Sequence, residues 1–348
     1  MAEWVDLPRG WRGLALRTPE VEVVLLPEKG CDLYSWTDRE SGVDVLFKTP
    51  WGLPPRGPAA LPPGSESAWL ERYPGGWQVL CPNGGAETDA PGTRWGFHGE
   101  ACLVPWDLVG HGPGFAELTV RLHHAPLRLR RRVSLEGRLL TVEESVTNTS
   151  PDEVELMWSH HPAFGAPLVG PETVITTGAS TVVADDEAPG TVLAPGSRHT
   201  WPVASTADGQ EVDLSRIPDG PTAQLAYLTD FADDAGWFAI TNPSLGLGVG
   251  MRWPTEVLGH AWLWQELGAT PGYPWWREAY VCAVEPATTF PGQGVAKARS
   301  KGASLLRLGG GESRDVVLEA VLFRTTAGVR GIGPRGQVET GLPEGAEQ

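Results

Sequence analysis

Residues 115–146 read FAELTVRLHHAPLRLRRRVSLEGRLLTVEESV. Leu118, Val120 and Leu122 alternate with polar neighbours. After Ala125-Pro126 the alternation resumes through Leu127, Leu129, Val133 and Leu135, and after Glu136-Gly137 through Leu140, Val142 and Val146. A period of two puts successive side chains on opposite faces of an extended chain, so the stretch predicts three antiparallel strands in a meander. Within it, Arg128, Arg130, Arg131 and Arg132 read as a solvated strand face.

Outward from the meander, further strands are expected at 21–26, 43–47, 154–158, 225–228, 237–240, 248–251, 280–284 and 316–323. No long amphipathic helix interrupts them. Many short strands punctuated by Gly and Pro predict an all-β fold, a large antiparallel β-sandwich, rather than a doubly wound sheet. Five prolines between Gly52 and Gly64 remove backbone donors, so that segment is expected to be a long surface loop. The length of 348 residues allows two domains, but no internal repeat or composition shift marks a boundary. One domain over 1–330 is expected, with a flexible Gly-rich tail over 331–348.

The chain carries 27 Lys plus Arg against 43 Asp plus Glu, a formal net charge of −16, which disfavours nucleic acid or an anionic membrane as partner. Neither a leader-like start nor an apolar run long enough to span a bilayer is found, so a cytoplasmic location is expected. Cys31, Cys81, Cys102 and Cys282 show no paired spacing and are read as reduced, buried thiols. Trp is the commonest aromatic, with 16 residues.

Three segments concentrate reactive side chains. In Trp95-Gly96-Phe97-His98-Gly99-Glu100 a His stands between glycines, either in a plain turn or where backbone approaches a ligand closely. In Trp158-Ser159-His160-His161-Pro162-Ala163-Phe164-Gly165, strand phase gives His160 the face of Leu156 and Trp158, and His161 the opposite one. The pair either caps a strand or offers His161 for chemistry. In Tyr280-Val281-Cys282-Ala283-Val284-Glu285-Pro286 an apolar run ends on a carboxylate. Glu285 is either an exposed strand terminus or a base whose pKa burial raises. The spacings are not those of a metal site or a phosphate loop, and no serine-hydrolase elbow is found, so neither metal nor cofactor is expected.

Taken in order over residues 20–325, these segments resemble the galactose mutarotase (aldose 1-epimerase) superfamily, as do Lys29-Gly30-Cys31-Asp32-Leu33, Pro82-Asn83-Gly84-Gly85 and Trp264-Gln265. The resemblance implies a sandwich with a sugar cleft on one sheet. It implies that His161 protonates the ring oxygen, that Glu285 takes the proton of the anomeric hydroxyl, and that His98 steadies the developing charge. Asn83, Trp264 and Gln265 would line the substrate, with Trp95, Glu100 and His160 as further contacts. The activity implied is interconversion of α and β anomers of an aldose or modified aldose, with an optimum near neutral pH.

Several positions depart from the family pattern. Its usual Asn-Arg pair is Asn83-Gly84 here, its usual Asn after the His motif is Gly165, and its hydroxyl-holding Asp has only Asp230 as a candidate. A cationic clamp for a phosphorylated sugar would have to come from Arg72, Arg94 or Arg252. The rival readings are a noncatalytic carbohydrate-binding protein and a glycosidase or lyase pairing Glu285 with Glu100. Trp77, Trp95, Trp158, Trp262, Trp264, Trp275 and Trp276 are the candidates for stacking on a sugar.

Overall fold

The structure is a computed structural model and describes residues 2–56 and 64–341. The meander forms as Phe115–Arg121, Leu127–Glu136 and Leu139–Asn148. Its inward positions are apolar because each strand packs one face against a second sheet. Among the described residues it belongs to an eight-stranded sheet, joined on one side by Asp107–Gly112 and on the other by Ser313–Arg324, Leu247–Pro254, Ala235–Asn242 and Val174–Thr177. Facing it is a twelve-stranded sheet, whose central neighbours are Trp77–Leu80, Ser159–Gly165, Tyr280–Ala287, His260–Leu267 and Thr222–Phe231. Every pairing in both sheets is antiparallel, and one continuous core from Leu14 to Leu322 fills the space between them. The architecture is an all-β antiparallel sandwich. Two short helices, Ser65–Glu71 and Val295–Ser300, lie outside the sheets.

Several expectations change. Arg131 does not share the solvent with Arg128 and Arg130. It is fully buried, in phase with Leu127, Leu129 and Val133, and pairs with Glu144 directly opposite on the next strand. The expected strand over 43–47 reduces to Val43–Asp44 followed by isolated bridges. The one over 154–158 stops at Leu156 and pairs with Leu306–Leu308, and the chain restarts as Ser159–Gly165. The tail expected from 331 is instead a hairpin of Val329–Gly333 and Gln337–Thr340. Val329 and Ile332 bury against Phe323, which outweighs the looseness that a Gly-rich composition suggests. Residues 342–348 lie outside the described residues. So does the middle of the proline-rich loop, 57–63, while its start is anchored by Leu53 packing on Trp11 and Leu26.

All four Cys are free and buried. Among the described residues no helix is long and apolar enough to cross a membrane.

Candidate active site

Two strands at the centre of the large sheet carry the reactive pair. Ser159 lies opposite Ala287 and Ala163 opposite Ala283, and the count between them sets His161 opposite Glu285. The backbone ladder lapses over this stretch, where Pro162 and Pro286 have no N–H to give. His161 Nε2 stands 3.7 Å from Glu285 Oε1, with both side chains buried. Strand phase turns His161 with Ala163, and Glu285 with Val281 and Ala283, away from the inter-sheet core.

These side chains meet the wall of a cavity of about 540 Å³. The helix Ser65–Glu71 brings Trp69 to it, with ring centroids 4.7 Å from His98 and 6.1 Å from His161. Trp264 packs 5.6 Å from His161 on the other side, and Trp262 and Trp275 complete the aromatic wall.

His98 enters from a tight turn. Its backbone takes φ 58°, its N–H donates to Gly85 O, and the Gly85 N–H donates to His98 Nδ1 at 3.0 Å. Nδ1 is therefore an acceptor, which leaves the proton of the neutral ring on Nε2. Only glycine fits at 85, where φ is 74° and a Cβ would lie 1.5 Å from Gly292 O. His98 and His161 centroids are 5.7 Å apart. The structure thus brings His98, His161 and Glu285 together from segments far apart in sequence.

The chain matches a family described as a domain of unknown function (DUF4432) over residues 8–322. It belongs to the DUF4432 family. No curated protein matches it. Among solved structures, the Slr1438 protein of Synechocystis sp. PCC 6803 superposes with a TM-score of 0.65 at 16% identity, over 93% of this chain and 97% of that one. A galactose mutarotase-like protein from Clostridium acetobutylicum gives 0.64 at 14% identity, over 93% and 99%. An aldose epimerase homologue from C. elegans gives 0.59 at 13% identity, over 93% and 100%. At these identities the likeness establishes the fold of this DUF4432 chain as galactose mutarotase-like.

Burial governs protonation in the site. It holds His98 well below its ordinary value, with His161 adding to the effect, and brings His161 down to about 4. It pushes Glu285 well above the usual carboxylate range. Burial therefore favours a neutral imidazole beside a protonated carboxyl, so that the pair holds one titratable proton between them. His161 Nδ1 and Glu285 Oε2 have no hydrogen-bond partner among the described residues.

Other candidates from the sequence lie elsewhere. His160 faces the inter-sheet layer, where its Nδ1 accepts from Trp77 Nε1 at 3.2 Å and its Nε2 lies 3.8 Å from Glu144. Trp95 is buried and donates to His124 O. Both Glu100 oxygens accept backbone N–H groups, from His123 and His124. Asn83 donates to Ala86 O and Gly96 O and accepts from Val295 N–H, so it staples the loop that carries Gly85. Trp264 does line the cavity. Gln265 lies along the wall, but it alternates in phase with Leu263 and Leu267, and its amide is spent on Gln224 and Cys282.

Gly84, where the superfamily pattern has Arg, packs under Trp262, whose ring would meet a Cβ at 2.9 Å. Gly165 likewise packs against Phe47. Asp230 pairs with Arg198 on the surface. The Asp that lines the cavity is Asp185, held by Tyr227 Oη–H, Gln293 and the Glu187 and Ala188 N–H groups. Arg94 pairs with Glu87 and Asp89, and Arg252 lies on the second sheet. Among the described residues no Lys or Arg lines the cavity, whereas Glu66, Asp185, Glu187, Glu266 and Glu285 do. Trp77 and Trp158 are core, and Trp276 lies outside the cavity. Sequence reasoning missed Trp69 and Phe97, which sit on a short helix and a turn where no periodicity marks a face.

Proposed function

We propose that the chain is an aldose 1-epimerase acting on a neutral aldose. The observation that carries this is the His161–Glu285 pair, 3.7 Å apart at the wall of an aromatic cavity that also receives His98. Opening a hemiacetal needs a proton to leave the C1 hydroxyl while another reaches the ring oxygen. A hydroxyl bonded to Glu285 favours its ionised form, and the shared proton then resides on His161. Glu285 takes the anomeric proton, the C1–O5 bond breaks, and His161 protonates O5 to leave an open-chain aldehyde. After rotation about C1–C2 the two transfers reverse on the other face. The Nε2–H of His98 supplies a neutral donor for the developing negative charge.

Cavity charge supports a neutral sugar. Among the described residues no Lys or Arg lines the cavity, and of its acidic groups Glu187 meets Lys297 and Lys301 while Asp185 and Glu266 face no cation, which disfavours a phosphate or uronate. The glycosidase reading loses its second carboxylate, since Glu100 is bound to backbone.

Anomer exchange across a panel of neutral aldoses, followed by polarimetry, tests the proposal. The expected result is catalysed exchange that falls about 10²- to 10⁴-fold in Glu285→Gln and in His161→Ala. Sugar binding in calorimetry without any catalysed exchange supports the noncatalytic reading instead, and unchanged rates in both variants overturn the roles assigned.

A further inference from the structure

A second groove, of about 580 Å³, opens beside the cavity. The two share a wall, because Leu70, Tyr273 and Pro274 line both. Aromatic rings run without a break from one to the other: His161 to Trp264 at 5.6 Å, Trp264 to Trp275 at 5.8 Å, and Trp275 stacked on Trp51 at 5.5 Å. Trp51 lines the outer groove.

Two large aromatic side chains stand exposed at the outer rim. Tyr273 is 54% exposed and Trp276 is 62% exposed. Trp276 has φ 49°, a left-handed backbone conformation that a bulky side chain adopts only at a cost. Its N–H donates to Gly272 O at 2.8 Å, which holds the turn in place. The turn is held from within, by this bond and by Arg277 N–H to Thr270 O, and it presents the indole outward at the rim. Glu71, Arg72 and Glu278 also line the groove, hydrogen-bonding groups of both signs. Flat apolar faces edged by polar groups suit a pyranose ring, which presents C–H faces and a hydroxyl rim.

We propose that this groove is a second sugar subsite, so that the substrate is a reducing disaccharide or longer chain. Its terminal ring occupies the cavity and its next ring stacks on Trp276. This rests on the reading of the cavity as a sugar site, and extends it to the substrate class.

Calorimetry and anomer exchange with glucose, maltose, cellobiose and lactose test it in wild type and in Trp276→Gly, a change that suits the left-handed backbone and removes the ring. At least one disaccharide is expected to bind ~3- to 10-fold more tightly than glucose in wild type. That gain disappears in Trp276→Gly, while glucose binding and exchange stay unchanged. Arg72→Ala reduces the same gain. If no disaccharide exceeds glucose in wild type, or if the gain survives in Trp276→Gly, the subsite is overturned even where exchange of glucose anomers is intact. A disaccharide gain that depends on Trp276 without any catalysed exchange upholds the subsite and overturns the epimerase reading.

Discussion

His160 and His161 are consecutive residues on one strand, yet they serve two different environments. His160 lies in a sealed polar layer between the sheets, with Trp77, Trp158 and the Arg131–Glu144 ion pair around it. His161 lies at a cavity, beside a carboxyl that has an unpartnered oxygen. Both rings are held neutral by burial. The difference is therefore in what their neighbours are free to do. Glu144 is committed to Arg131 and to the Trp158 N–H, whereas Glu285 is committed to no hydrogen bond among the described residues. A carboxylate with both oxygens bonded, as Glu144 is, holds structure, whereas the Glu285 carboxyl, with an unpartnered oxygen at a cavity, is available for proton transfer.

Exchanging the chemistry of the two sites separates them most sharply. His161→Gln is expected to lower anomer exchange by about 10²- to 10⁴-fold while leaving thermal stability close to wild type. Next in size is the sealed layer itself. Arg131→Met strands the Glu144 charge between the sheets and is expected to cost about 3–5 kcal/mol in denaturant unfolding. The double change Arg131→Met, Glu144→Leu should recover most of it, because no charge then remains to desolvate.

Acid is expected to act on both regions together. The folded values of His98, His160 and His161 are depressed, so the unfolded chain binds more protons. The stability they contribute is present above the ordinary His value of 6.5 and is lost as pH falls, for His161 towards about 4. His161 alone accounts for about 3 kcal/mol across that window, and urea unfolding from pH 7 to 4 would measure it. Glu285 has the opposite sign. Its raised folded value means that its contribution is present below the ordinary carboxyl value of 4.5 and is lost as pH rises. Glu285→Gln should therefore be more stable than wild type at pH 7. The smallest effect is expected for His160→Phe, which leaves the Trp77 N–H without an acceptor at a cost of about 1–3 kcal/mol and retains exchange in the folded fraction.

The same contrast explains what the sequence makes legible. The meander is readable because each of its strands buries one face, so its period of two survives in the residue pattern. Arg131 and Glu144 stand on the apolar phase of their strands, and that phase identifies them as inward. A run of four neighbouring arginines conceals it. His161 and Glu285 can be assigned to faces by phase and to roles by resemblance. Their proximity depends on pairing between strands more than a hundred residues apart, which no local pattern encodes. Trp95, Glu100 and Asn83 lie near reactive motifs in sequence, but their polar atoms are spent on backbone groups. The terminal hairpin was hidden by glycines, and only its packing on Phe323 orders it.

Ring opening by the His161–Glu285 pair needs Glu285 ionised to take the anomeric proton and His161 protonated to give one to the ring oxygen. The pH dependence of anomer exchange, followed by saturation-transfer NMR, tests it most directly. A bell-shaped profile is expected in wild type, with an acidic and a basic limb around neutrality, and loss of catalysed exchange in Glu285→Gln at every pH. A profile without both limbs, or wild-type exchange in Glu285→Gln, would contradict it.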